Sequence, residues 1–257
     1  MTDAAFDPPA ALEGDEVHVW CLRQGAPIAP GVHATCDALL SAAERARRDR
    51  FVFERHRHQF LLAHALVRAT LSRYTGVDPA RWTFVENEYG RPEIASPAVA
   101  LPLRFNLSHT DGLMACAVTL ARDVGVDVEE VTRRAAGLDI AERYFAAAET
   151  AALVAVPEPD RHRAFFDYWT LKEAYIKARG MGLALPLRAF AFHLAPSAAP
   201  AITFAPELDD DPAAWQFRLF QPTTTHRLAL AVRESPGRRI RIAIDWADPA
   251  TFGRHHR

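Results

Sequence analysis

The sequence predicts an α+β protein built from two similar halves. Three observations carry that prediction. Strand-like alternation and helix-like 3.6-residue periodicity are interspersed along the whole chain. The 257 residues, 49% of them hydrophobic, suffice for two domains of ordinary size. Finally, AlaAlaGlu at 42–44, ArgHisArg at 55–57 and Phe60 are echoed by AlaAlaGlu at 147–149, ArgHisArg at 161–163 and Phe166. An echo of that length points to a duplicated unit. The expected division is a loose leader over 1–15, an N-terminal subdomain over 16–121 and a C-terminal subdomain over 122–257.

In the first half, Val17, Val19 and Cys21 alternate with polar residues as in a strand. Ser41 stands three positions before Glu44, the spacing of a capping box, and so opens a helix over AAERARRDRF. A longer helix runs from about Arg57 to Tyr74 and stops before Gly76, so two helices follow the first strand. Strands begin at Trp82, Arg104 and Met114, with NEYGRP at 87–92 as a turn.

The second half repeats this order. DVGVDVEEV at 123–131 reads as a strand, a helix spans about Asp139 to Val154, and a second helix lies within FFDYWTLKEAYIKARGMGL at 165–183. Gly180 and Gly182 end that helix, because glycine accepts a positive φ. Segments 196–200 and 206–212 are surface loops, and FGRHHR is a frayed tail. Strands begin at Trp215, Arg227 and Arg239, the last two joined through ESPGR as a hairpin.

Composition excludes several classes. A net charge of −2 argues against nucleic acid, while Arg45, Arg47, Arg48 and Arg50 form a local basic face suited to a small polyanion. Three cysteines without metal-ligand spacing argue against a disulfide framework and for a reducing compartment. No apolar run approaches the ~20 residues of a membrane span. The expectation is a soluble, cytoplasmic protein with neither membrane nor nucleic-acid partners.

The chemistry gathers around the helix at 165–183. Trp169, Glu173 and Lys177 recur every four residues and share a stripe, leaving Phe166, Leu171 and Ile176 for a core. Taken alone, that stripe is an ordinary solvated ion pair. Asp127 and Glu129 project from one face of a strand while Val126 and Val128 project from the other. Alone, they too read as a polar face. A divalent cation would relieve the repulsion between them, and Glu173 offers a third carboxylate. In FNLSHTDG at 105–112, adjacent Ser108 and His109 point to opposite faces of an extended chain, so a hydrolytic Ser–His pair is rejected. A phosphate seat using Ser108 and a chargeable His109 stands beside a purely structural histidine as the remaining readings.

Together, GRP, FNLSH, GVDVE and WTLKEAYIK match at every position the pattern G-[KR]-P, F-N-[IVL]-S-H, G-[IV]-D-[IVL]-E, W-x-x-K-E-[AS]-x-x-K. In order and spacing the chain resembles the 4′-phosphopantetheinyl transferases of the longer, two-halved Sfp-like type, from about Ser41 to Leu187. The resemblance implies a pseudo-twofold α+β fold with the active site in the cleft between the halves. It implies magnesium-dependent transfer of phosphopantetheine from coenzyme A to a serine of an apo acyl or peptidyl carrier protein, releasing adenosine 3′,5′-bisphosphate. By motif, Asp127, Glu129 and Glu173 hold magnesium and Lys177 meets the pyrophosphate; a carboxylate, Glu173 first among them, or a metal-bound water then takes the serine proton. Lys172, Ser108 and His109 become further phosphate contacts, Gly90, Arg91 and Pro92 line the adenine end, and Arg47 meets the 3′-phosphate. Having both halves in one chain implies an active monomer. Two other readings use the same residues: a magnesium-dependent nucleotide phosphodiesterase or pyrophosphatase, and a catalytically silent carrier-binding module.

Overall fold

The computed structural model describes residues 11–25, 28–132, 137–234 and 239–253. In its first half β1 (Glu16–Arg23) leads to α1 (Pro30–Leu39), α2 (Ala42–Asp49) and α3 (Glu54–Thr75). The hairpin β2 (Thr83–Glu86) and β3 (Pro92–Ser96) precedes β4 (Leu103–Thr110) and β5 (Leu113–Leu120). The second half runs β6 (Val124–Glu130), α4 (Leu138–Tyr144), α5 (Ala147–Ala155) and α6 (Glu158–Arg179). A hairpin β7 (Phe190–His193) and β8 (Ala201–Phe204) then leads to β9 (Trp215–Thr223) and β10 (His226–Arg233). One more strand, β11 (Arg241–Trp246), closes the described chain.

The halves repeat in topology as well as in order. One sheet runs β11-β1-β5-β4 and the other β6-β10-β9, so β1-β5-β4 corresponds to β6-β10-β9, and each half carries its own two-stranded hairpin. Each long helix ends on a left-handed glycine, Gly76 or Gly180. The AlaAlaGlu echo has a physical cause. Glu44 accepts the Ser41 backbone N–H and pairs with Arg68 of α3 at 2.6 Å; Glu149 accepts the Ala146 N–H and pairs with Lys172 of α6 at 2.7 Å. Each glutamate caps a short helix and fastens it to the long one.

Three apolar layers hold these elements. Leu61, Leu62, Leu66 and Leu71 of α3 pack on Trp20, Met114 and Cys116. Leu171, Tyr175 and Ile176 of α6 pack on Phe217 and Ala229. Between the sheets, Val17, Val19, Leu113 and Ala115 meet Val124, Val126, Val128, Leu228 and Leu230. These burials are the main cohesive term, at about 1.5–3 kcal/mol for each large side chain.

Three sequence expectations need correction. The helix expected from Asp139 to Val154 is two helices, because Phe145 and Ala146 are extended and Glu149 caps a new start. Phe145 is buried at the break and stacks on Phe165. The strands at Arg227 and Arg239 do not form a hairpin. Both edges of β10 are taken by β6 and β9, so β11 crosses to pair in parallel with β1 of the other half. Arg241 there meets Glu13, Asp15 and Glu16. Finally, α1 precedes the two expected helices; its sequence, PGVHATCDAL, buries only Cys36 and Leu39 and so carries little periodic signal. The tail expected to fray, FGRHHR, falls largely outside the described residues, as does most of the leader.

One glycine sets the distance between β6 and α6. A Cβ on Gly125 would lie 2.0 Å from the Ala174 carbonyl oxygen and 2.4 Å from the Ala178 nitrogen. Gly125→Ala is therefore expected to push the helix off the strand and cost on the order of 3 kcal/mol. Gly31→Ala is the control, since nothing lies within 4 Å of its Cβ position. Urea midpoints of the two variants, read against the parent, check the difference.

Candidate active site at the seam of the two halves

The close approach at Gly125 brings the stripe of α6 over β6. Phe166, Leu171 and Ile176 turn into the core, while Trp169, Glu173 and Lys177 stay partly exposed. Asp127 and Glu129 meet that stripe. The Lys177 ammonium donates to Asp127 Oδ1 at 2.6 Å and to Ser108 Oγ at 2.9 Å, and Ser108 Oγ donates to Asp127 Oδ1 at 2.9 Å. Trp169 Nε1 donates to Glu129 Oε1 at 3.2 Å. Asp127 Oδ2 is buried without a hydrogen-bond partner among the described residues.

Strand β4 supplies the other wall. Its polar residues Asn106, Ser108 and Thr110 alternate and so face one way. Asn106 Oδ1 accepts the Val126 N–H at 2.9 Å and Ser108 Oγ accepts the Val128 N–H at 3.2 Å. Thr110 Oγ1 reaches Glu129 Oε2 at 3.5 Å. Side chains of β4 thus satisfy the free edge of β6 and clamp the backbone on both sides of Asp127.

The electrostatics follow from this crowding. Burial, then the charges of Asp127 and Glu129, push the Glu173 carboxyl up to about 7, with Lys177 opposing. His109 points the other way from Ser108 and is exposed. Partial desolvation, then Lys177 and His64, hold its imidazole below the ordinary histidine range.

The remaining expected residues fall into two groups. Near the site, Arg47 is exposed on α2, 3.7 Å from Glu86, with its guanidinium 5.9 Å from the Phe60 ring centre. Gly90, at φ +84°, and Pro92 lie exposed around the β2–β3 turn. Asn87 holds that turn by accepting from the Tyr89 and Arg91 amides and donating to the Gly180 carbonyl. The Arg91 guanidinium is committed to the Ala178 carbonyl and Glu93, so it anchors the turn to the end of α6. Ser108 is buried with its hydroxyl spent on Asp127, Lys177 and Val128. In this arrangement the hydroxyl orients the charged groups.

Lys172 is a clear correction. Its side chain has no exposed surface, and its ammonium is held by Glu149, the Leu187 carbonyl and the Phe190 carbonyl. Adjacent residues on a helix point about 100° apart, so Lys172 faces the core where Glu173 faces the cleft. Burial, opposed by Glu149, lowers its pKa to about 8. No phosphate reaches it. Lys172→Met is expected to leave Glu149 as an unpaired buried carboxylate and cost about 3–5 kcal/mol. Lys172→Met combined with Glu149→Met should recover most of that loss in a thermal melt.

Asn106, Thr110 and Gly125 complete the site without having been singled out as site residues in the sequence. The readable signal was the period-two run Asn106, Ser108, Thr110. Among the described residues, no three histidine, cysteine or carboxylate side chains converge into a ready-made metal cage.

Comparison with known proteins finds similarity across both halves. A family model described as the 4′-phosphopantetheinyl transferase superfamily matches residues 123–232. Another, described as the N-terminal part of 4′-phosphopantetheinyl transferase, matches 28–121. The 4′-phosphopantetheinyl transferase HetI of Nostoc sp. is 36% identical over 177 residues, covering 69% of this chain and 74% of its own. A Bacillus subtilis 4′-phosphopantetheinyl transferase is 34% identical over 65% of this chain and 72% of its own. A phosphopantetheinyl transferase of Thraustochytrium sp. is 32% identical over 88% of this chain and 80% of its own.

Proposed function

The chain belongs to the 4′-phosphopantetheinyl transferases, and from that premise we propose that it moves phosphopantetheine from coenzyme A to a serine of an apo acyl or peptidyl carrier protein, with magnesium. The observation that carries this reading is the cluster of Asp127, Lys177 and Ser108 beside Glu173, assembled from β4 of one half and β6 and α6 of the other.

The donor set fits a hard divalent ion. Asp127 offers a buried oxygen without a partner, and Glu173 is raised partly by the carboxylates next to it. Magnesium takes one or two carboxylates plus substrate phosphate, so a complete protein cage is not required. Asp127, Glu129 and Glu173 would hold the ion, which when bound shields the pyrophosphate and stabilises charge on the departing phosphate.

This chain's own groups supply the rest. Lys177, on a flexible stem, brings positive charge to the pyrophosphate as the leaving group develops. Glu173, with a pKa near neutrality, suits the removal of a proton from the attacking serine hydroxyl. Arg47, exposed, offers the nucleotide phosphates a positive charge, and the exposed His109 offers them a ring N–H. The turn carrying Gly90 and Pro92 closes the adenine end, held there by Arg91 and Asn87. Both halves contribute, so one chain suffices and the enzyme works as a monomer. Three free, buried cysteines and the absence, among the described residues, of a helix able to cross a membrane support a cytoplasmic setting.

Coenzyme A consumption followed with and without an apo-carrier tests the proposal. Consumption that needs the carrier and yields adenosine 3′,5′-bisphosphate supports transfer. Cleavage of coenzyme A at the same rate without any carrier contradicts it. At low magnesium, kcat/KM is expected to rise as pH passes through about 7, where Glu173 ionises in the free protein. Saturating magnesium favours the ionised form and should move that midpoint downward. A profile indifferent to magnesium would remove Glu173 from the site.

A further inference from the structure

Lys177 occupies a position that its transfer role alone does not require. It spans Asp127 Oδ1 at 2.6 Å and Ser108 Oγ at 2.9 Å, and so serves as cation to the carboxylates proposed for the metal. We propose that Lys177 is the resident counter-ion of this site in the metal-free protein, that a divalent ion displaces it from Asp127, and that metal binding thereby hands its ammonium to the substrate phosphates. This inference rests on the metal site of the proposed function.

The geometry says which partner moves. Asp127 is fixed: its side chain is only 5% exposed, and the amides on either side of it are clamped by Asn106 and Ser108. Lys177 is 28% exposed on a four-carbon stem and can swing toward the cleft. Charge supplies the drive. Asp127, Glu129 and Glu173 bring three negative charges to a site where Lys177 brings one positive charge. The exposed His109 adds charge only when protonated; Trp169 and Thr110 hydrogen-bond to Glu129, and Arg227, opposite Glu129 in the β6–β10 register, is paired with Asp167. A dication arriving at Asp127 Oδ2, which has no hydrogen-bond partner among the described residues, cuts the carboxylate charge facing the ammonium from three to one and takes the oxygens that held it, so the hold on Lys177 weakens. The lysine that had substituted for the metal is then free for the anion that arrives with it. A single residue thus links metal occupancy to phosphate affinity.

The test is a titration of the full chain with Mn2+, read by electron paramagnetic resonance, without coenzyme A and at pH 8, where Glu173 is ionised. Lys177→Met is expected to bind Mn2+ at least about tenfold more tightly than the parent, because the competing cation is gone. Lys177→Arg keeps the charge and should bind no more tightly than the parent. Asp127→Asn should lose the site in either background. A second readout is the thermal midpoint, which Mn2+ should raise more in Lys177→Met than in the parent. If the methionine variant does not fold, Lys177→Gln retains donors to Asp127 and Ser108 without the charge and takes its place. Equal Mn2+ affinity in the parent and the uncharged variant, with binding still lost in Asp127→Asn, overturns the exchange and leaves the metal site intact. Failure of every variant to bind Mn2+ overturns both.

Discussion

Glu173→Gln is expected to abolish transfer and to make the protein more stable. The loss of activity follows from removing both a proposed metal oxygen and the proposed base, an effect of about 10²–10⁴-fold on turnover for the base alone. The gain in stability follows from linkage. The folded carboxyl titrates near 7, above its ordinary 4.5, so folding favours the protonated form. Such a group supports stability most fully below the unfolded value and withdraws that support as pH rises through the folded one. An amide of the same shape does not ionise. The difference in thermal midpoint between Glu173→Gln and the parent should therefore be small near pH 4.5 and reach its maximum above pH 7. A midpoint difference constant across that window would mean that neither burial nor the neighbouring carboxylates raise the Glu173 carboxyl.

Asp127→Asn should match Glu173→Gln in activity and oppose it in stability. Asp127 is the acceptor that both Lys177 and Ser108 use. Replacing it with the neutral amide leaves the ammonium facing a neutral group in a partly buried site. The expected cost is roughly 1–3 kcal/mol, the range for a buried polar group losing its partner. Transfer should fall to background even at high magnesium, because in the proposed site Asp127 supplies the ligand oxygen that the rigid strand holds fixed. Chemical denaturation alongside an activity assay reads both quantities. If both substitutions stabilised the protein, the Lys177 contact would contribute nothing to the fold.

Much of this site is legible in the sequence, because its residues lie on regular elements with fixed periods. Asp127 and Glu129, two apart on a strand, and Trp169, Glu173 and Lys177, four apart on a helix, had to share faces, and they do. The AlaAlaGlu echo pointed to duplication, and the sheets repeat in the same order. What was hidden depends on contacts between distant segments. Lys172 lies one residue from a cleft carboxylate, yet its ammonium is consumed by Glu149 and two carbonyls that no local spacing announces. Ser108 Oγ accepts the Val128 amide, 20 positions away, and donates to Asp127, partners that no local spacing announces. The crossing of β11 to the first sheet likewise depends on which edges β10 leaves open. Periodicity reports which way a side chain points, whereas the partner it meets is a property of the fold.

Intact-mass measurement of apo acyl and apo peptidyl carrier proteins, incubated with the enzyme, coenzyme A and magnesium, tests the central claim most directly. The account predicts that at least one carrier gains the mass of a single phosphopantetheine group on its serine, that the gain requires magnesium, and that Glu173→Gln and Asp127→Asn leave every carrier at its starting mass. Carriers that stay unmodified while coenzyme A is cleaved, or that gain the group equally with either variant, would contradict it.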